Sequence, residues 1–175
     1  MSIISPAFLS LQPTSSSFPF QAKFIPIQGN MRITIGAQAQ DAPGRPARRA
    51  APTNGIFSPI PSTTDGAPVL PITLDSRHVE AWIGANNILY IRDLGTGYGT
   101  FVNGVKLEAH HDYALQRGDI LVRTFRIAVL ALANIAAVSK TLGRPIARNA
   151  NTPSYIVEEQ LKPVIARISF SGVNN

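Results

Sequence analysis

The sequence predicts an all-β protein, and three observations carry that prediction. Gly 13 and Pro 14 punctuate short runs of Val, Ile, Phe and Thr along the chain, a composition that favours strands and turns over helices. Thr100-Phe101-Val102 is followed by Asn103-Gly104, the strongest short hairpin signal because both residues tolerate positive φ. Residues 163–171 alternate apolar and polar in their second half, as a half-buried strand does. At 175 residues the chain is expected to form one domain, large enough to bury a core.

Taken in order, residues 1–17 are rich in Ser, Thr and Pro and are expected to be a disordered tail. Two β-like runs, 21–27 and 31–36, flank Gln28-Gly29-Asn30 and read as a hairpin. Residues 37–71 change character, holding seven of the fourteen prolines (43, 46, 52, 59, 61, 68 and 71) together with Arg45, Arg48 and Arg49. So long a segment without strand patterning reads as a disordered, basic insertion. Strands resume with 79–83 and 88–92 on either side of Gly84-Ala85-Asn86-Asn87, a second hairpin.

The most informative stretch is Asp93-Leu94-Gly95-Thr96-Gly97-Tyr98-Gly99-Thr100-Phe101-Val102-Asn103-Gly104. Its three closely spaced glycines permit positive φ and close approach of another backbone or a ligand. Leu74-Asp75-Ser76-Arg77-His78-Val79-Glu80-Ala81-Trp82 lies upstream, and Leu115-Gln116-Arg117-Gly118-Asp119-Ile120-Leu121 lies downstream. That order resembles the forkhead-associated (FHA) domain, whose signature runs Gly-Arg, Ser-x-x-His, Asp-x-x-Ser-x-Asn-Gly-Thr-x-x-Asn-Gly and Leu-x-x-Gly-Asp. Asp93, Thr96, Gly99, Thr100, Asn103, Gly104, Leu115, Gly118 and Asp119 fall in register. The resemblance implies an FHA-like β-sandwich of two antiparallel sheets over residues 18–173, and an interaction module of the kind that reads phosphothreonine.

A phosphothreonine pocket needs a fixed cation with hydroxyl and amide donors, and no carboxylate beside it, because the phosphate carries nearly two negative charges on three strong acceptors. Carried over residue by residue, the family's phosphate and peptide contacts fall on Ala37, Asp75, Gly97 and Tyr98, all of which depart from the pattern. Ser76 and Arg77 stand next to the missing serine, and a one-residue bulge would swing them into the pocket. Thr96 keeps a hydroxyl. The phosphopeptide-binding candidates are therefore Ser76, Arg77, Thr96 and Tyr98. The resemblance assigns a structural role to Gly36, His78, Asp93, Gly99, Thr100, Asn103, Gly104, Gly118 and Asp119.

Other constellations point to the scaffold. His110 and His111 would face opposite ways on a strand, so no metal site is expected. Ser76, His78 and Asp93 lack the nucleophile elbow that would support a hydrolase triad. Gly95-x-Gly97-x-Gly99 precedes no helix and is not a dinucleotide fingerprint. Trp82 and Tyr90 read as core or hairpin-face aromatics. The expectation is a protein-interaction module without enzymatic activity, cofactor or metal, whose partner is a protein segment with or without phosphothreonine. Phosphate-independent scaffolding is the alternative, and the basic run Arg45-x-x-Arg48-Arg49 adds weak nucleic-acid binding as another.

The net charge of +6 favours association with anionic partners and says nothing of fold. The absence of cysteine leaves no disulfide framework, which suits the cytosol or nucleus. The start of the sequence has no basic region leading into a long apolar core, so neither signal peptide nor membrane anchor is expected.

Residues 122–140 interrupt the place where the family motif continues. Deleting them joins Gly118-Asp119-Ile120-Leu121 to Thr141-Leu142-Gly143-Arg144 and restores the motif. Two readings are open: translation of a retained intron, which the restored motif supports and for which Val122-Arg123, Ala133-Asn134 and Lys140 can be encoded by codons matching splice signals, or a genuine helix or strand pair inserted in a loop, which folds tolerate.

Overall fold

The computed structural model describes residues 6–38, 48–61, 68–69, 74–123 and 163–174, and these form strands and turns only. Among the described residues thirteen strands follow one another: β1 (Ala7–Pro13), β2 (Lys23–Ile27), β3 (Ile33–Ala37), β4 (Ile56–Phe57), β5 (Ile60–Pro61), β6 (Pro68–Val69), β7 (Val79–Ile83), β8 (Leu89–Asp93), β9 (Phe101–Val102), β10 (Val105–Lys106), β11 (Asp112–Ala114), β12 (Ile120–Arg123) and β13 (Val164–Ser171). One sheet has the order β10-β9-β12-β13-β1-β2, the other β11-β8-β7-β3-β4, and β5 pairs only with β6. The inner faces of the two large sheets meet in one apolar core, with Leu9, Leu11, Ile25 and Ile168 from the first and Ile35, Val79, Leu89 and Ile91 from the second. The fold is the expected all-β sandwich. The second sheet is mixed, because β4 runs parallel to β3 through Gly36↔Ile56 and Ala37↔Phe57.

The amino-terminal segment departs from the expected tail. Residues 7–13 form a central strand of the first sheet, pairing with β13 from Phe8↔Ser171 to Pro13↔Ala166 and with β2. Leu9 and Leu11 are 0 % exposed, and burying two leucines contributes about 1.5–3 kcal/mol each. That outweighs the polar composition around them.

The expected hairpin between 21–27 and 31–36 is also corrected. β2 pairs with β1 and β3 pairs with β7, so Gln28-Gly29-Asn30 carries the chain from one sheet to the other. As an edge strand, β2 can hold Pro26 without losing a ladder bond. The other two hairpins form as expected, β7 with β8 and β9 with β10. At the tip of the latter Asn103 and Gly104 have φ of 50° and 82°, the left-handed pair that a tight two-residue turn requires.

Within 37–71, residues 48–61 are built into the fold rather than disordered. They close the open edge between the sheets: Phe24 N–H donates to the Pro52 carbonyl at 2.8 Å, and Phe20 packs edge-on against Phe57 at 4.8 Å. Lys23 is 4 % exposed. Its Nζ donates to the carbonyls of Ala51 at 2.8 Å and Ile56 at 2.5 Å and lies 5.2 Å from the centre of the Phe57 ring. Burial pulls its pKa down to about 8.

Val122 and Arg123 pair with Ile165 and Val164, so β12 continues across the expected start of the 122–140 insertion. Residues 124–140 lie outside the described residues. Among the described residues, no helix is long and apolar enough to cross a membrane.

Candidate functional site

The loops at one end of the sandwich are tied together by Asp93, the last residue of β8. This carboxylate is buried and has four donors around it. Oδ1 accepts from Gly95 N–H at 2.8 Å and Thr96 N–H at 3.1 Å; Oδ2 accepts from the hydroxyls of Thr96 at 3.1 Å and Thr100 at 2.5 Å. Burial pushes its pKa up, but the Thr100 hydroxyl and the Thr96 and Gly95 amides outweigh burial and hold it below the usual carboxylate range.

His78 immediately precedes β7, the neighbour of β8 in the same sheet, and is fully buried. Its Nδ1 accepts from the Asp75 N–H at 3.2 Å. That leaves Nε2 as the protonated nitrogen of the neutral ring, placed 3.3 Å from the Gly99 carbonyl and 3.1 Å from the Thr96 hydroxyl. Thr96 Oγ1 therefore accepts from His78 and from Gly99 N–H, the latter at 3.2 Å, while donating its one proton to Asp93. Its hydrogen-bonding capacity is filled within the protein.

Gly36 explains how the third segment joins. A Cβ built there would overlap the Ser76 carbonyl, so only glycine lets β3 pass under the Asp75-Ser76 backbone. Ala37 N–H then donates to the Asp75 carbonyl at 3.0 Å. Gly99, with φ of 76°, has the Lys106 side chain packed where a Cβ would stand.

The structure thus brings Gly36, Asp75, Ser76, His78, Asp93, Thr96, Gly99 and Thr100 to one end. Of the four binding candidates, Thr96 is tied into this network. Ser76 is exposed. The Arg77 side chain, 71 % exposed, turns outward to pair with Glu80 at 3.3 Å. Tyr98 is only 6 % exposed, which puts its ring in the scaffold. Beside the network an open cleft of about 440 Å³ is lined by Asp93, Thr96, Lys106 and Glu108 among others, a mixture of charge with no excess of cations.

Asn103, Gly104, Gly118 and Asp119 form a separate clamp. Asn103 Nδ2 donates to Asp119 Oδ1 at 2.8 Å, and its Oδ1 accepts from Ile120 N–H at 2.9 Å. Asp119 Oδ2 accepts from Gln116 N–H at 2.8 Å. Gly118 has φ of 88° with open space around it, so the turn's conformation, and not crowding, demands glycine.

Sequence reading missed Lys23, whose β-strand context gave no sign that an ammonium would be buried. It also missed the cation–aromatic stack on β7 and β8, where Trp82 lies against Tyr90 at 5.9 Å with Arg32 above its ring at 4.2 Å. An aromatic pair directly opposite across a hairpin was the available signal.

Residues 71–122 match the family model described as the FHA domain. No curated protein matches the sequence. Among solved structures, the chain is similar to the FHA domain of the CT664 protein from Chlamydia trachomatis, with 16 % identity over 67 % of this chain and 87 % of that one and a TM-score of 0.41. It is similar also to the N-terminal FHA domain of S. cerevisiae Rad53p, solved with a phosphothreonine peptide, with 12 % identity over 95 % and 94 % of the two chains and a TM-score of 0.43. For full-length yeast Pml1p the values are 16 % identity, 67 % and 70 % coverage, and a TM-score of 0.42. Residues 71–122 are thus similar in sequence to the FHA domain.

Proposed function

We propose that this chain is a non-enzymatic protein-interaction module of the FHA type whose binding depends little on phosphate. The observation that carries the reading is the Thr96 hydroxyl, the one conservative replacement in the motif and one of the binding candidates. It donates to Asp93 and accepts from His78 and Gly99, which leaves it no capacity for a phosphate oxygen. Asp75 stands where the family has a serine, and Ala37 where it has the phosphate-binding arginine. A carboxylate next to a dianion repels it, and alanine offers no counter-charge. Each missing charged contact forfeits about 1.5–3 kcal/mol.

The test is fluorescence polarisation with a degenerate library of threonine peptides in matched phosphorylated and unphosphorylated forms. The expected result is less than about tenfold preference for the phosphorylated member of any pair.

A second reading is favoured by the position of Ser76 and Arg77. Both are exposed beside the His78 network, and the Arg77–Glu80 pair, at 71 % and 16 % side-chain exposure, is held weakly enough in solvent to be exchanged for a phosphate. Under that reading phosphorylated peptides bind selectively, and Arg77→Ala removes the selectivity.

A further inference from the structure

A groove of about 410 Å³ opens at the other end of β3, between the β2–β3 connection and the segment leading into β4. Arg32, Arg48 and Arg49 line it together with Thr53, and Pro26 and Met31 supply apolar wall. No carboxylate is among the described lining residues. Arg32 is anchored over Trp82 at 4.2 Å and pairs at its rim with Glu80 at 3.4 Å. Arg48 and Arg49 are exposed and make no ion pair among the described residues. The turn that carries Arg49 is held in place: Asn54 Nδ2 donates to the Arg49 carbonyl at 2.9 Å, and Asn54 Oδ1 accepts from Ala51 and Ile56 N–H at 3.1 and 3.0 Å. Arg49 therefore projects from a turn whose backbone is hydrogen-bonded in place, with Arg48 beside it in the chain. Met31, 45 % exposed, stands at the rim as an apolar contact.

From Ala37, where the family places its phosphate cation, to Arg32 is about 16 Å along an extended strand, so the groove is separate from the loop end of the sandwich. We propose that it is a second binding site, which takes an acidic stretch of a partner polypeptide: carboxylates or phosphate on the three guanidinium groups, and an aliphatic side chain against Met31 and Pro26. Guanidinium groups suit this because their forked donors pair two-to-two with carboxylates. A protein ligand is favoured over nucleic acid because single strands bind on exposed aromatic rings; the groove wall is aliphatic, and the nearby Trp82 face is covered by Arg32.

The experiment is an NMR titration of the full chain with a short synthetic peptide alternating Glu and Leu. Its Gln-Leu counterpart and single-stranded oligothymidine serve as comparisons. The Glu-Leu peptide is expected to shift resonances of Arg32, Thr53 and Asn54 while leaving Ser76 and Thr96 unmoved. Arg48→Ser with Arg49→Ser should weaken it by about tenfold or more, whereas Arg117→Ser with Arg167→Ser, which removes the same net charge elsewhere on the surface, should not. Equal binding of the Gln-Leu peptide would overturn the proposal. So would tighter binding of oligothymidine at the same residues, no binding of the Glu-Leu peptide, shifts confined to the Ser76–Thr96 end, or equal loss in both double variants. Loss of phosphate discrimination at the loop end leaves these readouts untouched, so the two sites fail or stand independently.

Discussion

Asp93 shows how one residue sets the shape of an entire loop end. Four donors converge on a buried carboxylate, and removing its charge leaves them facing an amide in place of an anion. Asp93→Asn is expected to destabilise the fold by about 1.5–3 kcal/mol at neutral pH, measured by urea unfolding. The direction with pH follows from its lowered pKa. The folded form holds the charged state better than the unfolded chain, so the stabilisation is present above about pH 4 and is lost as pH falls through the folded pKa. The acid-side loss should shrink in Asp93→Asn.

Lys23 has the opposite balance. Its pKa of about 8 lies below the roughly 10.4 of an unfolded lysine, so the unfolded chain binds more protons between those values and stability rises with pH across the window. Lys23→Met removes this titration. The stability of wild type relative to that variant should therefore improve between about pH 8 and pH 10.4, and a difference independent of pH would show that Lys23 is not a buried cation.

At the scale of elements, β1 is the instructive case. Ala7, Leu9 and Leu11 are spaced two apart, the period of a strand with one buried face, but the run is short and sits among Ser, Thr and Pro. Composition hid the alternation. Leu9→Ala is expected to cost about 2–5 kcal/mol by thermal or denaturant unfolding, and removal of residues 1–13 should prevent folding. A truncated chain that unfolds at the wild-type midpoint would contradict the pairing of β1 with β13 and β2.

Strand pairing was legible where a turn announced it. Gly84-Ala85-Asn86-Asn87 and Asn103-Gly104 join strands that do pair. Gln28-Gly29-Asn30 looks like the same kind of signal, yet the flanking strands belong to different sheets. Local turn chemistry is identical for a hairpin and for a crossing between layers, and only the burial of Ile25, Ile27, Ile33 and Ile35 on facing sheets separates them. Of the segment 122–140, Val122 and Arg123 pair with Ile165 and Val164, and the remainder lies outside the described residues.

For the molecule as a whole, the residues that carry the family resemblance are mainly those that build it. Asp93, Thr96, Thr100, His78 and Gly99 form one network, and Asn103 with Asp119 forms another. These were legible because each needs a particular side chain or a positive φ. Tyr98 was not: a tyrosine at a loop position reads equally as a contact residue or a plug, and its 6 % exposure settles it as buried. The arginine groove was not legible either, since Arg32 is distant in sequence from Arg48 and Arg49 and lines one groove with them only once the chain is folded.

The central claim is that the scaffold is intact and that phosphate recognition is what has been lost. Ala37→Arg combined with Asp75→Ser tests this most directly, by isothermal titration of matched phosphothreonine and threonine peptides against wild type and variant. The account predicts that phosphate preference rises from under about tenfold in the wild type to about a hundredfold in the variant, as restoring two charged contacts at 1.4 kcal/mol per decade implies. A wild type that already binds phosphothreonine peptides about a hundredfold better than their threonine forms, with the preference abolished by Arg77→Ala, would contradict it and make Ser76 and Arg77 the phosphate clamp.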